Sequence, residues 1–144
     1  LVQKLLPANK RVAIITADAR NFTPRHMEGA GVPLDTPVIG TENGEILTRV
    51  FTDKATEYDF ARCEADLVSA GKQMLEKHPD VGAFVLECTN MPPFAPALAK
   101  AFGLPVYDIF TLISWFQMGL RPTPFPRQDH VHAADWQPKI TAAE

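Results

Sequence analysis

The chain has 144 residues and a formal charge of −3, from 14 Lys+Arg against 17 Asp+Glu. With 46% hydrophobic and 22% charged residues it has the composition of one globular domain, which excludes disorder as its main state and a basic nucleic-acid footprint. No apolar run reaches the ~18–20 residues of a membrane span, and two cysteines cannot build a disulfide framework, so a cytoplasmic protein without nucleic-acid or membrane partners is expected.

The chain opens on Leu1-Val2-Gln3-Lys4-Leu5-Leu6 and is halted by Pro7. Leu1, Val2, Leu5 and Leu6 share one face at helical spacing. Residues 1–10 therefore read as the end of a helix from a missing amino-terminal half. Val12-Ala13-Ile14-Ile15-Thr16 is a short β-branched run that fits a strand buried on both faces. Thr23-Pro24 opens a short helix, with Thr as N-cap and Pro at the first helical position, and Gly29-Ala30-Gly31 ends it. Thr36 to Ile39 is a second strand. Asn43-Gly44 is a turn signal, read as a hairpin tip ahead of a strand over Ile46 to Phe51.

Asp59 to His78 is the clearest helix. Phe60, Cys63, Leu67, Val68, Gly71, Met74, Leu75 and His78 follow three- and four-residue steps, and Arg62, Glu64, Asp66, Lys72, Gln73, Glu76 and Lys77 fill the polar remainder. Val81 to Leu86 is a buried strand. Pro92, Pro93 and Pro96 hold back the next helix, since only a first turn tolerates proline. That helix runs over Ala97 to Phe102, with Gly103 as its stop. Leu104 to Tyr107 is a further strand and Ile109 to Met118 a last apolar helix, with Asp108 as its N-cap. Residues 11–120 thus form a single α/β domain with a parallel sheet flanked by helices on both faces. Residues 121–144 are Pro-rich and are expected to be a loosely ordered tail.

In parallel sheets, ligands bind beyond the carboxyl ends of the strands. Cys88 stands there, ahead of a helix start, where a lowered thiol pKa makes it a usable base or nucleophile. The alternative is a small apolar residue at a strand end. Thr89 and Asn90 offer a hydroxyl and an amide suited to a carboxylate, or simply to turn formation. Thr16 ends the first strand on the same edge and is a candidate ligand contact. Glu87 needs a partner, because a carboxylate beside a buried strand is costly, and strand alternation turns it away from Cys88. Cys63 belongs to the core stripe. His26, His78, His130 and His132 show no metal-site spacing, so no metal is expected. Phe94 occupies the position where a phosphatase loop beginning at Cys88 would need arginine.

Val85-Leu86-Glu87-Cys88-Thr89-Asn90-Met91-Pro92-Pro93 resembles the aspartate/glutamate racemase superfamily, which includes maleate isomerases and arylmalonate decarboxylases. Leu104 to Leu120, Arg11 to Ala17 and Leu34 to Gly40 carry the same resemblance, in collinear order over roughly residues 1–126. It implies the carboxyl-terminal, flavodoxin-like half of a two-domain racemase that works without a cofactor. One thiol takes the α-proton of a small carboxylate-bearing substrate, and a second thiol in the other half returns a proton. By this likeness Cys88 is catalytic, and Thr89 and Asn90 are substrate contacts. Glu87 and Asn90 depart from the common racemase pattern, and the first-half cysteine is not in this chain. A single-cysteine decarboxylase or isomerase is therefore the alternative reaction, and a non-catalytic α/β binding module the alternative class. Apolar surface left by an absent half predicts a homo-oligomer.

Overall fold

The computed structural model describes residues 1–53 and 57–124. The last twenty residues, with His130 and His132, lie outside the described residues, and so does nearly all of the expected tail.

Among the described residues, four strands make one parallel sheet: β1 (Arg11–Thr16), β2 (Val38–Gly40), β3 (Val81–Leu86) and β4 (Val106–Tyr107), in the order β2-β1-β3-β4. Ala13 is level with Phe84 and Ile15 with Leu86, so these four point to one face. Five α-helices among the described residues connect or follow the strands: α1 (Pro24–Gly29), α2 (Leu47–Thr52), α3 (Phe60–Lys77), α4 (Ala95–Phe102) and α5 (Ile109–Leu120). The core gathers Ala13, Ile15, Phe84 and Leu86 from the sheet with Leu47 of α2, Cys63, Leu67, Ala70 and Met74 of α3, and Leu98 of α4. The α/β architecture and parallel sheet expected from the sequence are those observed.

Local signals worked where the deciding groups lie within one turn. Thr23 opens α1, and the ring Nδ1 of His26 accepts from its backbone N–H at 3.0 Å, closing a capping box whose His stacks on Phe22. Asp59 accepts from Arg62 N–H at 3.1 Å and caps α3. Gly103 ends α4 in the left-handed region, φ +64°, where a side chain would be strained.

Two expectations are corrected. The segment from Ile46 to Phe51 is not a strand after a hairpin; most of it lies in helix α2. Its nucleus comes from far along the chain: the Asp66 carboxylate of α3 accepts the backbone N–H groups of Glu45, Ile46 and Leu47 at 2.7–2.8 Å. These are amides that a helix start leaves without partners. Gly44 is required beside them, because a Cβ there would sit 2.5 Å from the Asp66 carboxyl carbon. Asp66 itself, read as a solvent-facing polar residue, is 7% exposed. The second correction concerns the first residues. Val2–Leu5 form one 3-10 turn with no buried side chain, and Leu1 and Leu5 are exposed. The anchor is polar instead: the Gln3 side chain accepts from Val12 N–H at 2.9 Å and donates to Lys10 C=O at 3.0 Å.

Candidate active site

The ends of β1 and β3, with the turn that leaves β3, build the sheet's carboxyl edge. Glu87 N–H donates to Ile15 C=O, and there the ladder ends. The chain then turns, with Met91 N–H donating to Cys88 C=O at 3.1 Å. Met91 and Phe94 are buried and hold the turn to the core, and Phe94 packs on Phe60 with ring centroids 5.0 Å apart. Cys88 is half-buried against the core. Asn90 N–H points at its sulfur. Among the described residues, the N–H groups of Cys88 and Thr89 have no hydrogen-bond partner.

The expected lowering of the Cys88 pKa is overturned. Burial pushes the thiol up, the Asn90 amide pulls it down, and the Glu87 charge raises it further. The residue pattern after Cys88 predicts a helix start beside the thiol. In the structure a 3-10 turn, Pro92–Phe94, intervenes, and α4 begins only at Ala95. Pro92, Pro93 and Pro96 also bring no N–H groups, so the positive end of that helix is depleted and displaced.

Thr16 and Glu87 answer each other. The buried Thr16 hydroxyl donates to Glu87 Oε2 at 2.8 Å, but Glu87 itself is exposed, so the desolvation cost expected from the sequence does not arise. Thr16 therefore holds a neighbouring carboxylate rather than standing free for a ligand. Glu87, which strand alternation turns away from the thiol, still acts on it through its charge. The adjacency of β1 and β3, one residue past Ile15 and Leu86, would have revealed the pair had the strand register been known.

Thr89 and Asn90 are exposed. With Pro92, Pro93 and the first turns of α5 (Ile109, Phe110, Ile113) they line an open groove of about 640 Å³. Asp108 is not part of its chemistry: its carboxylate accepts from Thr111 N–H at 2.7 Å as the α5 cap. Cys63 is fully buried in α3, with a thiol pKa raised by burial and by Asp66, and it does not reach the groove. A second hollow, about 490 Å³, lies between the starts of α2 and α3, lined by Glu45, Arg49, Glu57, Tyr58 and Asp59 among others. Two of its groups are committed to structure, Asp59 as a helix cap and Glu45 in an ion pair with Arg62 at 3.0 Å. Among the described residues, no group of three or more His, Cys, Asp or Glu could hold a metal ion. No helix there is long and apolar enough to cross a membrane.

No protein-family model matches the chain. It is 29% identical over 120 residues to a dimethylsulfoniopropionate lyase of Durusdinium sp. clade D, covering 79% of this chain and 39% of the relative. It is 28% identical over 125 residues to dimethylsulfoniopropionate lyase 5 of Emiliania huxleyi (strain CCMP1516), covering 81% and 24% respectively. The chain thus spans two-fifths or less of the curated relatives it matches. Among solved structures, unliganded arylmalonate decarboxylase superimposes with a TM-score of 0.50 at 19% identity, over 76% of this chain and 47% of the decarboxylase. That likeness shows the fold: this parallel α/β architecture is one that a decarboxylase uses.

Proposed function

We propose that the chain carries the acid–base thiol, Cys88, of a cofactor-independent enzyme that moves a proton at the carbon next to a carboxylate. The observation that carries this reading is a half-buried thiol at the sheet's carboxyl edge, with two backbone amides free of partners among the described residues beside it. The substrate carboxylate sits on those amides, and Thr89 and Asn90 flank it. As the proton leaves, charge grows on the carboxylate oxygens, where fixed N–H donors stabilise it most.

The reaction favoured is β-elimination from a small carboxylate bearing a cationic leaving group. The Cys88 thiolate takes the α-proton, forming S–H. The C–H electron pair becomes the Cα=Cβ bond, and the leaving group departs from Cβ with its own bonding pair. A sulfonium leaves as a neutral sulfide and needs no acid, so one thiol suffices. Two-base racemisation needs a second acid on the opposite face, and Cys63 cannot supply it from the core. Glu87 favours a cation over a second carboxylate, because its charge lies one residue from the thiol and is held there by a neutral hydroxyl. The names of the two sequence relatives support the same choice.

A second reading rests on the raised Cys88 pKa. A thiol protonated at rest is suited to deliver a proton to an enolate left by decarboxylation. The test uses the polypeptide as its gene encodes it, incubated with dimethylsulfoniopropionate and followed by NMR for dimethyl sulfide and acrylate. Cys88→Ala should lower turnover by about 10²–10⁴-fold. Turnover undiminished in Cys88→Ala would overturn the thiol's role; turnover of an arylmalonate instead would select the second reading.

A further inference from the structure

At the carboxyl edge of the sheet, Glu87 is held next to the thiol without a cation to answer it. Its backbone N–H donates to Ile15 C=O at 2.9 Å, and its Oε2 accepts from the buried Thr16 hydroxyl at 2.8 Å. Thr16 is itself fixed. Its C=O accepts from Thr41 N–H at 3.1 Å, and the next carbonyl, that of Ala17, accepts the Thr48 hydroxyl at 2.7 Å and the Thr41 hydroxyl at 3.3 Å. Among the described residues no Lys, Arg or His pairs with Glu87, whereas Asp18 on the same edge is paired with Arg20 at 2.7 Å. Glu87 is exposed, so one carboxylate oxygen is tied to β1 and the other, Oε1, is left without a partner among the described residues. Two groups act on the Cys88 sulfur, the Asn90 N–H of its own turn and the Glu87 carboxylate, and no charged side chain of another described element does so. In the free site, burial and the Glu87 charge favour the protonated thiol, which is the wrong form for a base.

We propose that the Thr16–Glu87 pair makes Cys88 a working base through the substrate's own cation, which seats against the free carboxylate oxygen and so releases the thiol proton to water. The inference rests on the reading of Cys88 as the base of an elimination. A cation beside Glu87 cancels the charge that opposes the thiolate and adds one that favours it. The Cys88 S–H proton passes to solvent and leaves the thiolate. The thiolate then takes the α-proton and re-forms S–H, as the Cα–H pair becomes the double bond and the sulfonium departs as a neutral sulfide. The cation is thereby lost in the same event that returns a proton to the sulfur. Glu87 is again unanswered, and its charge holds the new S–H until the next cation arrives. Thr16 is a positioning residue in this cycle. Its hydroxyl is neutral, so it fixes the carboxylate without cancelling the charge, as a lysine or arginine in its place would. A carboxylate without a cationic group leaves the thiol protonated, which makes the pair a determinant of specificity as well as of activation.

The experiment follows the ultraviolet absorbance of the Cys88 thiolate against pH in the polypeptide as its gene encodes it, taken as the difference from Cys88→Ala. Two probes are added in excess: β-alanine betaine, whose amine is a poor leaving group, and its uncharged isostere with carbon in place of the nitrogen. The betaine should raise the thiolate fraction a few-fold at about pH 8, to at least the level of ligand-free Glu87→Gln, and the isostere should not raise it. Glu87→Gln and Thr16→Val should each lose most of the betaine response, and Thr16→Ser, which restores the hydroxyl, should keep it. No rise with the betaine, an equal rise with the isostere, or a full betaine response in Glu87→Gln would overturn the proposal. These readouts need no turnover, so the two ideas fail separately. Turnover of dimethylsulfoniopropionate that survives Cys88→Ala sinks the thiol as base, whereas Cys88-dependent turnover without a betaine response sinks this inference alone.

Discussion

Helix α3 buries Cys63, Asp66, Leu67, Ala70, Gly71 and Met74, while α5, with a more apolar sequence, buries nothing within the described residues. The charged helix is the inner one because its stripe meets the sheet, α2 and α4 in one core. The uncharged helix begins at the end of β4 and finds no such surface. Apolar content measures how much a helix gains from burial; the partner that buries it is a separate fact, decided by where the chain ends each strand. The Asp66 carboxylate makes the same point from the opposite direction. A group that looks bound for solvent is inside because three unpaired amides at the start of α2 need an acceptor.

The largest test of that contrast is a pair of truncations. Leu67→Ala in α3 should cost about 3–4 kcal/mol in urea unfolding, since the side chain is fully buried. Phe116→Ala in α5 should cost below about 0.5 kcal/mol, despite the larger side chain, because the ring is exposed. Asp66→Ala comes next. It leaves the amides of Glu45, Ile46 and Leu47 without their acceptor and should cost about 2–3 kcal/mol. Hydrogen exchange should show the loss in α2 before α3.

The two thiols provide a third test, through pH. Both have pKa values raised by burial, so above the ordinary thiol pKa of ~8.5 the folded state retains protons that the unfolded chain loses. Stability is therefore full below that pH and falls as pH rises through the folded values. The fall should be smaller in Cys63→Ala, assessed by the slope of unfolding free energy against pH. Glu87→Gln removes a charge that raises the Cys88 pKa, and alkylation of Cys88 near pH 8 should become a few-fold faster. An unchanged rate would mean that Glu87 does not act on the thiol. The smallest effect is expected at Lys72–Glu76, a pair 3.9 Å apart on the exposed face of α3; Lys72→Ala should change stability by less than about 0.5 kcal/mol.

Much of the fold was legible because its signals are local. Thr23-Pro24, Asp59 and Asp108 mark helix starts through bonds to residues at most three positions on. Gly103 marks a stop through its own backbone. The candidate site was legible in outline only. Cys88, Thr89 and Asn90 could be placed on the carboxyl edge from the strand that precedes them. The thiol's raised pKa could not, because it depends on burial and on the Glu87 carboxylate, itself held by Thr16 from another strand. The hairpin expected at Asn43-Gly44 failed for the same reason: its turn residues are real, but the acceptor that converts the next segment to a helix lies in α3.

The sequence by itself determined the alternation of strands and helices, the parallel sheet and the edge on which the chemistry-bearing residues stand. These depend on periodicity, caps and breakers acting within about one turn of helix or one strand. Only the tertiary structure decided that Asp66 is a buried cap, that Thr16 holds Glu87, that burial outweighs the amide at Cys88, and that α5 buries no side chain among the described residues. Each of those is set by groups distant in sequence or by surface they do or do not meet, and electrostatics and burial depend on distance in space, not on position along the chain.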